Sequence, residues 1–354
     1  MPALADRLAA RTLELVNIRS ESRNEAEIAS YVQEAIGAPT WREGETLWYG
    51  DRAGDRPLVV LAGHLDTVPA QENVPGERTA DAVVGLGASD MKGGVAVMIE
   101  VAREWRERHE ALPLDLNFLF FPREELPASE SVLPYFFDNV PGIHDAELAI
   151  LLEPTDNAIQ AGCLGNLNAR ITFRGVSGHS ARPWAAENAI HKALDGLRAY
   201  AQIEPRPVDV GGLTFTEVAS ITQIEGGIAS NVIPDRVEAN VNFRYAPDRS
   251  SSSADAYLRS LLPEGATYEH AGDSPPARVV TDSPLVHRLR AVGDLALEPK
   301  QAWTNVADFT SRGIDAVNFG PGATRYAHRR DEQVEIAALE RSFESLWAFV
   351  TGTV

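Results

Sequence analysis

Residues 58–69 read Leu-Val-Val-Leu-Ala-Gly-His-Leu-Asp-Thr-Val-Pro. The first five are apolar without interruption, a pattern typical of a strand buried on both faces of a largely parallel sheet. Similar apolar runs occupy 114–121 and 148–152, and a segment with helical periodicity, 93–108, lies between the first two runs. This alternation predicts a doubly wound α/β domain, whose ligands bind outside the carboxyl ends of the strands.

From about residue 166 the pattern changes to alternating apolar and polar residues, which is typical of an antiparallel sheet with one face covered by helices. A Gly-, Ser- and Pro-containing stretch at 272–276 marks a boundary, after which the chain is expected to return to the first domain. The predicted fold class is therefore α/β: a doubly wound, mostly parallel sheet formed by residues 1–165 and 278–354, with an inserted α+β domain at 166–277. Further helices are predicted at 4–18, 27–36, 129–137, 185–200, 250–262 and 285–297.

The composition excludes several classes of partner. The 354 residues carry a formal net charge of −19, which argues against nucleic-acid or anionic-membrane binding because both need a basic face. No apolar run approaches the roughly 20 residues that span a bilayer, and the N-terminal residues lack the pattern of a secretory signal. Cys163 is the only cysteine, so an internal disulfide is excluded. We therefore expect a cytoplasmic protein.

Acidic and histidine residues follow each predicted strand of the first domain. His64 and Asp66 share one side of the chain because side chains alternate along a strand. One can bind a metal ion while the other orients it, although a structural hydrogen-bonded pair is an alternative. Glu124 and Glu125 repel each other unless a cation or proton intervenes, and Glu153 adds a carboxylate at the next strand end.

Asp90 follows the glycines of Gly85-Leu86-Gly87-Ala88-Ser89-Asp90, where a carboxylate can bridge two cations. A dinucleotide loop would require glycine at position 90, so nucleotide binding is disfavoured, whereas a helix N-cap role for Ser89 or Asp90 stays possible. His328 supplies a second imidazole. Two imidazoles with three or four carboxylates suit zinc, with cobalt or manganese as substitutes, and are too rich in nitrogen for magnesium or calcium.

At this point the sequence resembles the dinuclear-zinc family of aminoacylases, acetylornithine deacetylases, carboxypeptidases and succinyl-diaminopimelate desuccinylases. The resemblance covers essentially the whole chain. Its motifs are, in order, His64-Leu65-Asp66-Thr67-Val68-Pro69, Gly87-Ala88-Ser89-Asp90-Met91-Lys92-Gly93-Gly94, Glu124-Glu125, Glu153-Pro154-Thr155, Gly178-His179-Ser180-Ala181-Arg182-Pro183 and Ala327-His328.

The resemblance implies two Zn²⁺ ions per subunit and a specific task for each residue. His64 and Glu153 would bind one ion, Glu125 and His328 the other, and Asp90 both. Asp66 would orient His64, and Glu124 would be the general base that takes a proton from a water whose pKa the cations have lowered. A cis peptide bond is expected between Asp90 and Met91.

The family also gives the inserted domain a role as a lid and as the contact in a homodimer. His179 would reach the active site of the partner subunit and stabilise the developing oxyanion. Four other residues are expected to contact the substrate: Asn231, Arg244, Arg182 and Thr304. For Arg244, an ordinary strand arginine is the alternative.

Within the family, the motifs most resemble the actinobacterial type of succinyl-diaminopimelate desuccinylase. This implies cleavage of a small N-acyl amino acid, N-succinyl-LL-2,6-diaminopimelate, to succinate and LL-2,6-diaminopimelate, in lysine and diaminopimelate biosynthesis. Acetylornithine deacetylation, another N-acyl-amino-acid deacylation or dipeptide hydrolysis would use the same metal site. A metal-dependent scaffold with a vestigial site is the alternative outside enzymes, and it is disfavoured because every predicted ligand and the predicted base are present.

Overall fold

The chain divides into two compact units. The computed structural model describes residues 3–50 and 56–352, so Met1 and Pro2, at which the predicted first domain begins, lie outside them. Unit 1 comprises residues 1–161, 280–298 and 308–354, and unit 2 comprises 162–279 and 299–307. The sequence places 299–307 in the first domain, whereas they pack within unit 2, where the backbone N–H of Thr216 donates to the Gln301 side chain (3.1 Å).

The bounds of the regular elements follow. The strands are β1 Trp41–Glu43, β2 Thr46–Tyr49, β3 Leu58–His64, β4 Glu77–Arg78, β5 Ala82–Val84, β6 Asp115–Phe121, β7 Leu148–Leu151, β8 Ile159–Ala161, β9 Gly165–Arg174, β10 Gly178–His179, β11 Arg206–Val210, β12 Leu213–Gly226, β13 Val232–Ile233, β14 Arg236–Tyr245, β15 Ala266–Ser274, β16 Leu297–Pro299, β17 Asp315–Asn318 and β18 Gln333–Glu335. The α-helices are α1 Leu4–Asn17, α2 Ala26–Ile36, α3 Gly93–Arg108, α4 Leu133–Asn139, α5 Ala189–Gly196, α6 Arg198–Ala201, α7 Ser251–Ser260, α8 Pro284–Ala291, α9 Val306–Thr310 and α10 Ile336–Thr351. None of the helices within these described residues is long and apolar enough to cross a membrane.

The main sheet of unit 1 has the strand order β1-β2-β6-β3-β7-β17-β8-β16. Its centre is parallel, since β3 pairs in parallel with both β6 and β7, and β17 does so with β7. All residues of β3, β6 and β7 are buried, as the apolar runs predict, and β6 buries the polar side chains of Asp115 and Asn117 as well. The register aligns His64 with Phe121 and Ala62 with Leu151, so the segments that follow the three strands leave the sheet at one edge.

Unit 2 is built on an antiparallel sheet of order β11-β12-β14-β9-β15. Inward-facing residues of β9 and β14 pack with α5, α6 and α7 in one apolar core, which includes Ile171, Val241 and Leu258. The outward-facing residues of β9 and β14 are polar or charged along most of their length. The fold class predicted from the sequence, a largely parallel α/β sheet with a separate antiparallel α+β unit, is confirmed.

Three predicted helices have clearly different bounds in the structure, and the one expected at 129–137 is α4, which begins only at Leu133. The helix expected at 285–297 is α8, which ends at Ala291, because Asp294 turns the chain with a positive φ of 47° before β16 begins. The helix expected at 185–200 begins only at Ala189, since the Asn188 side chain accepts the backbone N–H of Ile190 (2.8 Å) and so caps it. For α8 and α5, local turn chemistry shortens the element.

Candidate metal centre

Polar side chains collect at the carboxyl ends of the parallel strands of unit 1. His64 is the last residue of β3, Glu124 and Glu125 follow β6, and Glu153 follows β7 by two residues. Because these strands are parallel neighbours, the three segments converge, and His64 Nε2 lies 3.9 Å from Glu153 Oε1. The acidic and histidine residues that follow the predicted strands thus lie at the carboxyl ends of β3, β6 and β7.

The His64 ring is buried and held at both nitrogens. Nδ1 lies 3.0 Å from the backbone carbonyl oxygen of Asp66 and 3.5 Å from its carboxylate, while Nε2 lies 3.1 Å from Asp90 Oδ1. Burial opposes protonation, but the hydrogen bonds to Asp66 and Asp90 raise the pKa of His64 well above its usual value. When Nδ1 donates to Asp66, Nε2 can bind a cation on the side of Asp90 and Glu153.

Asp66 positions more than the imidazole. Its carboxylate accepts the backbone N–H groups of Glu124 (2.9 Å) and Glu125 (3.1 Å) and the hydroxyl of Ser22 (2.7 Å). Although burial acts in the opposite direction, the hydrogen bonds from His64 and Ser22 lower the pKa of Asp66. Asp66 therefore holds the turn that presents both glutamates, a task that the His-x-Asp spacing alone does not predict.

Asp90 lies between the two imidazoles. Its Oδ1 faces His64, and its Oδ2 lies 3.5 Å from His328 Nε2, which in turn lies 2.9 Å from Glu125 Oε1. The hydrogen bond with Glu125 raises the pKa of His328 to about 9 despite partial burial. The peptide bond between Asp90 and Met91 is cis.

Glu124 lies among three other carboxylates of the cluster. Burial raises the pKa of Glu124 well above its usual value; His64 acts against this shift, and Glu153, Glu125 and Asp90 add to it. Its neighbour Arg123 forms no ion pair with a carboxylate among the described residues. A carboxyl group in this environment binds a proton readily.

The arrangement satisfies the requirements of two neighbouring cations. Potential ligand atoms lie within 4.8 Å of one another in three sets: His64 with Asp90 and Glu153, Asp90 with Glu125 and His328, and His64 with Glu124 and Glu125. The first two sets contain the same residues as the two predicted ligand sets, and they share Asp90. Because each oxygen of one carboxylate faces a different imidazole, the donor set fits a pair of divalent ions bridged by Asp90.

A Gly-Pro-Gly segment at 320–322 fits between two of these loops. A Cβ atom added to Gly320 would lie 2.4 Å from the Leu152 carbonyl oxygen, and one added to Gly322 would lie 2.1 Å from the Ser89 carbonyl oxygen. The Ser89 hydroxyl also donates to the carbonyl of Ala323 (3.0 Å). The segment therefore fixes the distance between the loops of Glu153 and Asp90, and glycine is required by close approach.

Glu332 is a further site residue that sequence reasoning missed. Its carboxylate is buried and accepts the backbone N–H groups of Gly87, Ser89 and Asp90. Burial raises the pKa of Glu332 to about 7, although these N–H donors favour the ionised form. Within a run of charged residues from His328 to Glu332, nothing in the sequence distinguishes it from a solvated surface glutamate.

The remaining predicted site residues lie in unit 2. His179 is exposed on β10, which pairs with β13, and the carbonyl of Asn231 accepts the backbone N–H of Ser180 (3.0 Å). Arg182 is exposed. Arg244 is partly buried on β14, and Thr304 is buried with its carbonyl 3.7 Å from Cys163 Sγ. Unit 2 thus brings His179 and Asn231 close together.

Residues 60–351 match the model of a protein family described as "Peptidase family M20/M25/M40". The chain belongs to this family. As an M20 peptidase it is a metal-dependent hydrolase that acts on an amide bond, which confirms the predicted class of enzyme.

Two curated relatives of this M20 peptidase come from actinobacteria. A Corynebacterium glutamicum protein named succinyl-diaminopimelate desuccinylase is 35% identical over 92% of this chain and 91% of its own length. A Mycobacterium tuberculosis protein provisionally named succinyl-diaminopimelate desuccinylase DapE is also 35% identical, over 96% of this chain and 97% of its own. Both relatives match almost end to end.

The fold of this M20 peptidase is also found in a solved structure. The YXEP protein of Bacillus subtilis, described as a dinuclear metal-binding peptidase of the M20 family, superimposes with a TM-score of 0.69 at 15% identity, over 99% of each chain. At that identity the similarity establishes the fold.

The close approach at Gly322 gives a prediction about stability. Gly322→Ala would place a methyl group against the Ser89 carbonyl, so we expect a loss of about 1–3 kcal/mol in the free energy of unfolding. Urea unfolding measures it. Gly142→Ala is the matched control, since no neighbouring atom lies within 4 Å of the added Cβ. Equal stability of the two variants would contradict the proposed fit of the segment.

Proposed function

We propose that this protein hydrolyses N-succinyl-LL-2,6-diaminopimelate to succinate and LL-2,6-diaminopimelate with two zinc ions. The observation that carries the proposal is the Asp90 carboxylate, whose two oxygens face two different imidazoles, each with a further carboxylate beside it. The choice of acyl group is supported by the two actinobacterial relatives at 35% identity and by the presence of every motif residue.

The proposed ligands of one zinc ion are His64 and Glu153, those of the other are Glu125 and His328, and Asp90 binds both. When bound, two divalent ions polarise the amide carbonyl and lower the pKa of the attacking water. Zinc is proposed because imidazole nitrogen and carboxylate oxygen together form a borderline-soft donor set. Cobalt or manganese would bind the same ligands.

Glu124 is the proposed general base. Its position supports the role, because a carboxylate oxygen of Glu124 lies within 4.8 Å of ligand atoms of His64 and Glu125, where it can take the proton of a water held between the proposed ions. The same group would then deliver that proton to the leaving amide nitrogen, which departs as the amine. Asp66 holds the backbone of Glu124 and thereby keeps the carboxylate beside the metal ligands.

Arg244 is the proposed partner of a substrate carboxylate. Its Nε donates to Asn242 Oδ1 (3.1 Å), and burial lowers its pKa. Within the described part of the chain, no carboxylate forms an ion pair with Arg244. A partly buried guanidinium whose Nε is anchored presents its two terminal nitrogens as a fork that suits a carboxylate. Asn231, Arg182 and Thr304 are proposed as further substrate contacts.

We also propose that unit 2 is a lid that forms a homodimer, with His179 completing the site of the partner subunit. Residues 218–226 of β12 pair with β14 on one side and with no strand of the described residues on the other. Large apolar side chains are exposed in the same unit, at Ile190, Leu194 and Ile224. An open strand edge together with exposed apolar side chains is typical of a surface that a second copy covers.

The assignment of Glu124 predicts a specific pattern of loss. Glu124→Ala should retain two zinc ions per chain but lose on the order of 10²–10⁴-fold in kcat, because only the proton transfer is removed. Metal analysis and steady-state kinetics measure the two properties. Glu130→Gln, a change of a partly exposed carboxylate in the same segment, should leave both unchanged. A Glu124→Ala enzyme with normal kcat would exclude Glu124 as the base.

The substrate is tested by a direct comparison of three amides. We expect the zinc-loaded enzyme to have its highest kcat/KM for N-succinyl-LL-2,6-diaminopimelate, with much lower values for N-acetylornithine and for a dipeptide, since Arg244 pairs with an additional carboxylate of the first. Arg244→Lys should reduce this preference, because an ammonium group cannot reproduce the fork. Equal or faster hydrolysis of N-acetylornithine would assign the protein to the deacetylases.

The dimer is tested by mixing two inactive variants. In a hybrid of His179→Ala and Glu124→Ala subunits, one of the two sites contains an intact Glu124 and the partner's intact histidine. Random exchange of subunits should then restore roughly a quarter of the wild-type activity. If His179→Ala alone is active, His179 has no role in catalysis. If the mixture stays inactive although the subunits have exchanged, His179 acts within its own chain.

A further inference from the structure

Glu332 has an unusual environment for a carboxylate that is 1% exposed. Its Oε2 accepts the backbone N–H of Gly87 (2.9 Å), and its Oε1 accepts those of Ser89 (3.0 Å) and Asp90 (2.9 Å). No arginine, lysine or histidine of the described residues forms an ion pair with it. Three backbone donors of one loop are therefore the direct hydrogen-bonding partners of this buried charge.

The same segment holds the loop of Asp90 by its main chain as well. The carbonyl oxygen of Glu332 accepts the backbone N–H of Gly85 (2.8 Å), so both ends of the loop 85–90 are hydrogen-bonded to one residue. The loop contains no regular helix at Asp90, whose φ and ψ of −124° and 93° are non-helical. External hydrogen bonds are therefore needed to satisfy its backbone groups and fix its shape.

Glu332 is also tied to the second imidazole. It lies four residues after His328, whose backbone carbonyl accepts the side-chain N–H of Gln71 (3.0 Å), and the carbonyl of Arg329 accepts that of Asn73 (3.3 Å). His328 has a positive φ of 61°, a conformation that costs a non-glycine residue energy and persists only where neighbours enforce it. The segment 328–332 is thus hydrogen-bonded at its start to residues 71 and 73 and at its end to the loop 85–90.

A buried carboxylate beside Asp90 is expensive. Removing its charge from water is unfavourable, and the repulsion with Asp90 adds to that penalty. Hydrogen bonds from N–H groups to a carboxylate are strong and directional, so Glu332 makes the loop of Asp90 rigid. The burial of Glu332 is therefore better explained by a role in placing the Asp90 carboxylate than by a contribution to stability alone.

We propose that Glu332 is a positioning residue that fixes Asp90 so that each of its oxygens faces a different imidazole, and that it thereby sets the affinity of both metal sites at once. The proposal rests on the proposed two-metal function. Glu332 differs from a direct ligand in the effect of its loss. Loss of Glu125 or Glu153 removes a donor from one metal site, whereas loss of Glu332 displaces Asp90, the donor that both sites share.

The test is zinc binding by Glu332→Gln, measured by competition with a chromophoric chelator. The glutamine oxygen still accepts N–H groups, but its NH₂ group replaces an acceptor with a donor and opposes the N–H of Gly87 or of Ser89 and Asp90. We expect both dissociation constants to rise 10–100-fold, as is typical when a residue behind a metal ligand is changed. Glu125→Gln should weaken one site and leave the other within a few-fold.

Asp331→Asn is the matched control, because its exposed carboxylate pairs only with Arg329 among the residues that the structure describes, and it lies next to Glu332 in the chain. It should bind zinc like the wild type. If Glu332→Gln also binds two zinc ions with wild-type constants, the positioning role is wrong. If the wild type itself binds fewer than two ions, the proposed two-metal function fails, and this outcome is distinct from the first.

Amide hydrogen exchange of the metal-free wild type tests the same role without a variant that might unfold. Because Glu332 accepts the N–H groups of Gly87, Ser89 and Asp90, we expect all three amides to exchange at least tenfold more slowly than those of an exposed turn such as Gly211 and Gly212. Exchange as fast as in that turn would show that the loop is not held before metal binds, and would overturn the proposal.

Discussion

Repulsion among carboxylates is the constraint on which this structure depends. The parallel register of β3, β6 and β7 brings Glu124, Glu125 and Glu153 to one edge of a buried sheet, and the following loops add Asp90 and Glu332. So many negative groups in a partly buried space would raise one another's pKa values and push the loops apart. Divalent cations relieve that repulsion. The protein, for its part, holds the carboxylates in one fixed arrangement.

Backbone N–H groups carry much of that contribution. Asp66 accepts two of them from the turn of Glu124 and Glu125, and Glu332 accepts three from the loop of Asp90. An arginine or lysine in their place would neutralise the site and compete with metal ions, whereas peptide dipoles stabilise a carboxylate without adding a full positive charge. The local net charge therefore stays negative and available for cations, while the side chains are held rigidly.

Much of this could be predicted from the sequence, because buried parallel strands have uninterrupted apolar runs and their ends mark the site. That pattern predicts His64, Glu125 and Glu153 as metal ligands, and the resemblance to a known family adds the prediction of which of the two ions each residue binds. Glu332 could not be predicted as a site residue, since its burial depends on how the loops fold around it. The placement of 299–307 in unit 2 also depends on tertiary contacts, which a local pattern does not contain.

The position of β17 has a consequence for how the chain is made. This strand comes from residues 315–318, after the whole of the inserted unit, yet it pairs with β7 and β8 inside the main sheet. A ribosome-bound chain that ends before residue 315 would expose the unpaired edge of β7, and such an edge is prone to pair with other chains. All of unit 2, residues 162–279 and 299–307, precedes β17 in the chain, whereas the main sheet of unit 1 is complete only once β17 has been made. The edge of β7 therefore stays without its β17 neighbour throughout the synthesis of unit 2.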